Sequence, residues 1–370
     1  MNQNPHRRTM RSSESRIPMA DILHIPGNSA ESLRGLLREL SPSFTAGESV
    51  GIKIHWGERG NESFLHPRYT REIVRWLTEL GVRPFVFDTT VLYSGGRRSG
   101  EESLKTAAEH GFTEAYLGCP VRIGDGMDGR DVIEIPGGGR HFPLVQAASI
   151  LRKADAFVIF SHFKGHMVSS FGGAIKNISM GMASRAQKQR MHADAHPVLN
   201  RKRCTRCGLC VEVCPAGAAS LPPALALPLD GGGRGGGVLP DGDPVYDLNA
   251  CIGCAQCIAL CPQSALKIFW DTDITVFQEK LVETAAAIWR VIGPKTVIIN
   301  ALIRIVTECD CLPGNHPVIA EDAGFIVGSH PVSVDEASIH RIGAEPFDRA
   351  HARIPWRRQF AYAREIGFTP

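Results

Sequence analysis

Eight of the eleven cysteines in this chain fall into two copies of one run, and no other feature restricts its folding so strongly. Cys204, Cys207, Cys210 and Cys214 are followed by Pro215, and Cys251, Cys254, Cys257 and Cys261 by Pro262, so each copy reads C-x2-C-x2-C-x3-C-P. Three thiolates at that spacing wrap one corner of an iron-sulfur cubane, and the fourth cysteine of each run reaches the cluster of the other. The expected assignment is crosswise: Cys204, Cys207, Cys210 and Cys261 hold one 4Fe-4S cluster, and Cys251, Cys254, Cys257 and Cys214 hold a second. Zinc is the competing occupant, because paired C-x2-C hooks also build tetrahedral sites. It would leave the third and fourth cysteine of each run without a task. Eight metal-spaced thiols, with Cys119, Cys309 and Cys311 left over, point to a reducing cytoplasm rather than a disulfide framework.

Around this segment, strand and helix patterns alternate. The run SVGIKIHWG (49–57) reads as a strand, and a helix over Pro67 to Leu80 follows it and stops at Gly81. A strand over Pro84 to Thr90 precedes a helix from Glu101 to His110, which ends on Gly111. A helix from Leu144 to Lys153, a strand from Asp155 to Phe163 and a helix from Gly172 to Arg185 come next. Beyond the cysteines lie a helix from Val276 to Ile292, a strand from Thr296 to Asn300, an apolar run from Ala323 to Val327 and a helix from Ser333 to Ile342. The expected fold class is α/β, with a largely parallel sheet covered by helices and interrupted by an inserted ferredoxin-like module. The α/β part spans 21–198 and 268–370, and the module spans 199–267 with a Pro/Gly-rich surface loop at 221–244.

Residues 1–20 read as a disordered basic tail. Arg7 and Arg8 have the look of an export signal, but no apolar stretch follows them. Lysine and arginine exceed aspartate and glutamate by only 41 to 38, so no basic field for nucleic acid is expected. Without a run of roughly 18 to 20 apolar residues, no membrane span is expected either.

In open α/β sheets ligands bind beyond the carboxyl ends of the strands. Polar residues gather there: Lys53 and His55 at the end of the first strand, Asp88 at the end of the second, His162, Lys164 and His166 in the segment SHFKGH, and Asn300 later. Lys176 and Asn177 follow Gly172 and Gly173, which start a helix whose amides could receive an anion. Cys309 and Cys311 flank Asp310 in a C-D-C run, available as metal ligands or as a redox thiol pair. His162 or His166 would donate protons, and the lysines would clamp an anionic small molecule. Asp335 reads as an acid in the first turn of its own helix. The G-x-G-x-x-G fingerprint of nicotinamide and flavin sites is missing after the first strand. These features point to an oxidoreductase that passes single electrons from two 4Fe-4S clusters to a substrate or metal in the α/β pocket. The alternative is a ferredoxin-type electron carrier or accessory protein that docks a redox partner protein and performs no chemistry of its own.

The segments GIKIHWGERGN (51–61), SHFKGH (161–166), GGAIKN (172–177), the twin cysteine runs, ECDC (308–311) and SHPVSVDEA (329–337) together resemble one family, the uncharacterised iron-sulfur proteins grouped as domain of unknown function 362. The resemblance runs from about Val50 to Ile342 and implies an α/β domain with cluster binding but no reaction. Family members usually carry aspartate where this chain has His330, and the loop between the cysteine runs is longer here than in compact two-cluster ferredoxins.

Overall fold

A computed structural model describes residues 17–18, 22–93, 95–192, 197–214, 216–222, 242–248, 250–251, 256–259, 261–263, 265–268 and 274–370. Its centre is a seven-stranded sheet built from β1 (Leu23–Ile25), β2 (Ser49–Lys53), β3 (Arg83–Asp88), β4 (Val121–Ile123), β5 (Ala156–His162), β6 (Thr296–Leu302) and β7 (Gly324–Gly328), in the spatial order β1-β7-β6-β5-β2-β3-β4. The five strands from β6 to β4 run parallel, and β7 and β1 add antiparallel pairs at one edge. The central strands β5 and β6 are buried along their whole length. That burial explains why their sequences, AFVIFSH and TVIINAL, are nearly unbroken apolar runs rather than alternating ones.

Helices cover both faces. Leu33, Leu36 and Leu37 of α1 (Ala30–Glu39) and Ile73, Val74 and Leu77 of α2 (Pro67–Glu79) pack with Val158 and Phe160 of β5. Phe157 and Ile159 point to the other face, where α4 (Ala174–Met182), α6 (Ile274–Ile292), α7 (Pro331–Ile342) and α8 (Arg357–Glu365) build the second core. The helix starts are written in the sequence. Ser29 accepts from Ser32 N at 3.0 Å to cap α1, Pro67 occupies the first turn of α2, and Ser99 caps α3 (Gly100–Glu109), which carries Glu101 and Glu102 in its first turn. Between α4 and α6, α5 (Arg185–His192) leads toward the cysteine-rich segment.

One expectation is corrected. Residues 144–153 do not form a helix: Leu144–Ala148 pairs antiparallel with Val132–Pro136, and only Ser149–Arg152 turns as a short 3-10 helix. The apolar spacing of LVQAASIL suits either period, and the cross-strand partner VIEIP decides it. Within the expected tail, Ile17–Pro18 pairs parallel with Leu40–Ser41, while residues 1–16, 19 and 20 lie outside the described residues.

The order of the sheet has a functional consequence. From β2 the chain moves outward through β3 and β4, then returns to the other side of β2 as β5 and continues outward as β6. The connections after β2 and β5 therefore diverge, and a crevice opens between them at the carboxyl edge, which is the topological switch point of an open α/β sheet.

Candidate functional site

A cavity of about 590 Å3 fills that crevice. His55 enters it from beyond β2, Asp88 from the end of β3, Ser161 and His162 from β5, and Lys164 and His166 from the hairpin that follows. Lys176 and Asn177 enter from α4, and Glu308, Cys309 and Cys311 from the loop after β6. The hairpin pairs Lys164–His166 with Ser170–Gly172 and lies so close to the later loop that a Cβ on Gly165 would sit 2.2 Å from the Thr307 carbonyl oxygen. Only glycine permits that approach. The loop is fixed by Glu58 N donating to Asp310 O at 2.8 Å and by Asn61 Nδ2 donating to Leu312 O at 2.7 Å.

Two buried ion networks frame the cavity. Asp88 accepts from Lys53 Nζ at 2.9 Å and from Arg97 Nη1 at 3.0 Å. Burial opposes its charge, yet Lys53 and Arg97 hold its carboxyl down at about 2. Lys53 also donates to Ile54 O at 2.7 Å and to Asn177 Oδ1 at 2.8 Å, so its ammonium braces the cavity floor and lies outside the lining. In the second network Asp310 receives Lys164 Nζ at 2.8 Å and His162 Nδ1 at 3.0 Å. Burial disfavours the Lys164 charge, but Asp310 outweighs it and pushes that amine up. His162 Nε2 points at the carbonyls of Ile303 (3.0 Å) and Arg304 (3.1 Å). Both ring nitrogens thus face acceptors, and His162 works as a tie between β5 and the loop.

The remaining groups are less committed. His166 Nδ1 accepts from Val168 N (3.2 Å) and Ser169 N (3.1 Å), which leaves Nε2–H as its free donor, and burial and then Lys176 press this imidazole well below its usual range. His55 Nδ1 accepts from Gly57 N at 3.0 Å, so its Nε2–H faces Cys309. Cys309 also meets Lys176 Nζ at 3.8 Å. A hydrogen bond from Cys311, then Lys176, His55 and Lys164, pull the Cys309 thiol well below its usual range against the effect of burial, while Cys311 is pushed up as the donor. The surroundings of the C-D-C run thus favour the anion at Cys309 and the proton at Cys311. Glu308, which the sequence reading passed over, lines the same cavity with Oε2 buried and without a hydrogen-bond partner, and burial and the Cys309 anion raise its carboxyl to about 7. Its only sequence signal was its place before the C-D-C run. Lys188 was also missed: it donates to Thr89, Thr90 and Ala183, and burial lowers its amine to about 8.

The helix start at Gly173 does not receive an external anion. Asp335 already occupies it, accepting from Ala174 N at 2.7 Å and Ile175 N at 2.9 Å, and Asn300 Nδ2 donates to the same carboxylate at 2.7 Å. Asp335 thus caps α4 from a neighbouring helix rather than serving its own, and Asn300 belongs to that cap and lies outside the cavity lining. His330 packs edge-on against Trp289 and Phe368, also outside the lining. Cys119 is buried, and its thiol is pushed up to about 12.

A second, small void lies in the cysteine-rich segment, lined by Cys204, Cys207 and Cys210 of the first run and by Cys261 of the second, with Gly208 and Tyr246 beside them. Arg206 N approaches Cys204 Sγ at 3.4 Å, and Ala265 N approaches Cys261 Sγ at 3.3 Å. Among the described residues no three His, Cys, Asp or Glu side chains converge closely enough to hold a single metal ion. Cys254 lies outside the described residues, as do residues 223–241 of the expected loop. Pro197–Leu199 pairs antiparallel with Leu266–Ile268, so the two ends of the segment meet. No helix among the described residues is long and apolar enough to cross a membrane.

Residues 50–340 match the family described as Domain of unknown function (DUF362). No curated protein matches the sequence. Among solved structures, a Thermotoga maritima protein is similar over 93% of this chain and 60% of its own, at 10% identity and a TM-score of 0.42. The lactate racemase apoprotein from Thermoanaerobacterium thermosaccharolyticum is similar over 79% of this chain and 52% of its own, at 13% identity and a TM-score of 0.33. The chain thus matches just over half of the length of each.

Proposed function

For a chain that belongs to the DUF362 family, whose description carries no activity, we propose an iron-sulfur oxidoreductase that passes single electrons to an anionic small molecule in the switch-point cavity. One observation carries this reading. Three cysteines of the first run and the last cysteine of the second stand around one void, the crosswise donor set that a two-cluster ferredoxin arrangement demands. The donors fit a cubane better than zinc, because they surround a space rather than converge on a point. Cys251, Cys254, Cys257 and Cys214 would hold the second cluster. Backbone N–H groups near Cys204 and Cys261 suit an anionic cluster, whose potential they would raise. When bound, the clusters supply electrons one at a time.

The chain's own residues supply the rest. Lys176 sets a positive charge at the cavity wall, His166 presents a ring N–H to a bound anion, and Glu308 holds or releases a proton near neutral pH. The cysteine segment is rooted beside this cavity. His192, at the end of α5, lines the cavity, and its ring packs at a tilt against Phe277 of α6 with the ring centres 5.0 Å apart. Pro197 follows five residues later, which limits its distance from His192 to roughly 18 Å.

Anaerobic reconstitution with ferrous iron and sulfide tests the proposal. The wild-type chain should take up about eight irons and eight sulfides and give a paramagnetic signal on reduction. Cys207→Ser should lose about half of the iron, and Cys309→Ala none of it. A chain that prefers zinc and gives no redox signal refutes the reading.

A further inference from the structure

Cys309 and Cys311 form a pair that the electron path above does not use. Leu312 N donates to Cys309 O at 3.0 Å, closing a turn with Asp310 and Cys311 at its corners. A turn shortens the span between its first and third residues toward the roughly 5.5 to 6 Å Cα separation that disulfides favour. The side chains are hydrogen-bonded to one another, both line the cavity, and Lys176 Nζ and the His55 ring converge on Cys309. The two positions differ in access: Cys309 is only 3% exposed at the cavity wall, while Cys311 is half-buried. A small molecule entering a 590 Å3 cavity reaches that sulfur, whereas a disulfide on the surface of a folded protein does not.

We propose that Cys309 and Cys311 are an attacking and resolving thiol pair that reduces a small-molecule disulfide by thiol–disulfide exchange. The Cys309 thiolate attacks one substrate sulfur, the substrate S–S bond breaks, and the first half leaves as a thiolate while the second stays bound to Cys309. Cys311 then gives up its proton and attacks the Cys309 sulfur, which expels the second half. The pair has lost two electrons to the substrate and become a disulfide. The Cys311 proton ends on one of the two product thiols, so charge and atoms balance. His55 and Lys176 act as positioning residues that keep the attacking sulfur anionic, and Glu308 stands beside it to protonate a departing sulfur. Returning the pair to its starting state takes two electrons and one proton. Only that return step rests on the cluster reading.

The test is a single turnover under anaerobic conditions, with pre-reduced full-length protein, no further reductant, and glutathione disulfide or cystine as the probe. Alkylation and mass spectrometry of the peptide containing residues 309–311 give the readout, and iron content is followed in parallel. In the wild type, both cysteines should become protected as an internal disulfide, with two product thiols released per chain. Cys311→Ser should hold a persistent mixed disulfide on Cys309, and Cys309→Ser should form neither species. Lys176→Ala should slow exchange about tenfold at neutral pH and recover speed at high pH, a dependence that a merely structural lysine would not produce. Both thiols remaining alkylatable in the wild type after exposure overturns the proposal, whatever the variants do. Exchange should proceed equally in protein stripped of iron, since the forward step needs only the two thiols. A wild-type chain that exchanges yet takes up no iron on reconstitution refutes the cluster reading alone.

Discussion

Replacing Asp88 by asparagine probes the buried charge that shapes the cavity floor. Asp88 is 2% exposed and lies between Lys53 at 2.9 Å and Arg97 at 3.0 Å. Its ordinary value of 3.8 falls to about 2 in the fold, and at 1.36 kcal/mol for each pH unit the charged form gains about 2 kcal/mol of stability. Because the folded value lies below the unfolded one, that stability is present above pH 3.8 and fades as pH falls toward 2. The substitution should cost more, about 3 to 5 kcal/mol, since it strands two buried cations and turns an amide N–H toward one of them. Urea unfolding at pH 7, followed by the fluorescence of the buried Trp56 and Trp76, measures the loss, and the same titration repeated down to pH 3 gives the slope. A loss below about 1 kcal/mol, or an acid slope unchanged in the variant, would show that Lys53 and Arg97 do not depend on this carboxylate.

Two other substitutions test neighbouring parts of the site. Gly173→Ala would bring a Cβ to 2.2 Å from Asp335 Oδ1, an oxygen already fixed by Ala174 N and Asn300. It should lower stability by about 1 to 3 kcal/mol through loss of the cap, and an unchanged melting temperature would contradict the assigned role. Glu308 has a folded value of about 7, above its ordinary 4.5, so its contribution is full below pH 4.5 and is lost as pH rises through 7. Glu308→Gln should therefore become more stable than wild type by up to about 3 kcal/mol at pH 8, and parallel stability profiles from pH 5 to 8 would refute the raised value.

What the sequence made legible follows from the range of each interaction. Helix caps, glycine stops and the apolar runs of β5 and β6 are local or are set by full burial, and these elements lie within a few residues of expectation. The polar strand ends His55, Asp88, His162, Lys164 and His166 were legible because the carboxyl edge of a parallel sheet is a property of the architecture, and all of them reach one cavity. Residues 144–148 misled because their strand character depends on a partner twelve residues upstream. Asp335 misled for a related reason: its position in its own helix suggested a local role, while its carboxylate serves a helix some 160 residues earlier in the chain. Glu308 and Lys188 carry no motif, and only burial gives them their character.

The charge balance of the cavity separates scaffolding from groups free to act. Lys53 and Arg97 are neutralised by Asp88, with Glu58 adding a 3.4 Å contact to Arg97, and Lys164 and His162 converge on Asp310. Each cluster fixes a strand end or a loop, and moving any member leaves an unpaired charge away from water, which costs several kcal/mol. Such groups make poor proton donors because their protons are held by partners that do not leave. Lys188 is likewise held by three oxygen acceptors. Cys309 differs from all of these, since its neighbours are an ammonium at 3.8 Å, an imidazole N–H and a thiol, each of which favours a sulfur anion, and none of them is a counter-charge locked in a buried carboxylate pair. The conserved geometry of the ion networks under substitution of the pair, and not their own chemistry, is therefore what Cys309→Ser and Cys311→Ser should preserve. The strand-end lysines and His162 build the cavity, and the groups left without a buried counter-charge are the sulfur pair with Glu308, His166 and Lys176 around it, which is where the proposed exchange is placed.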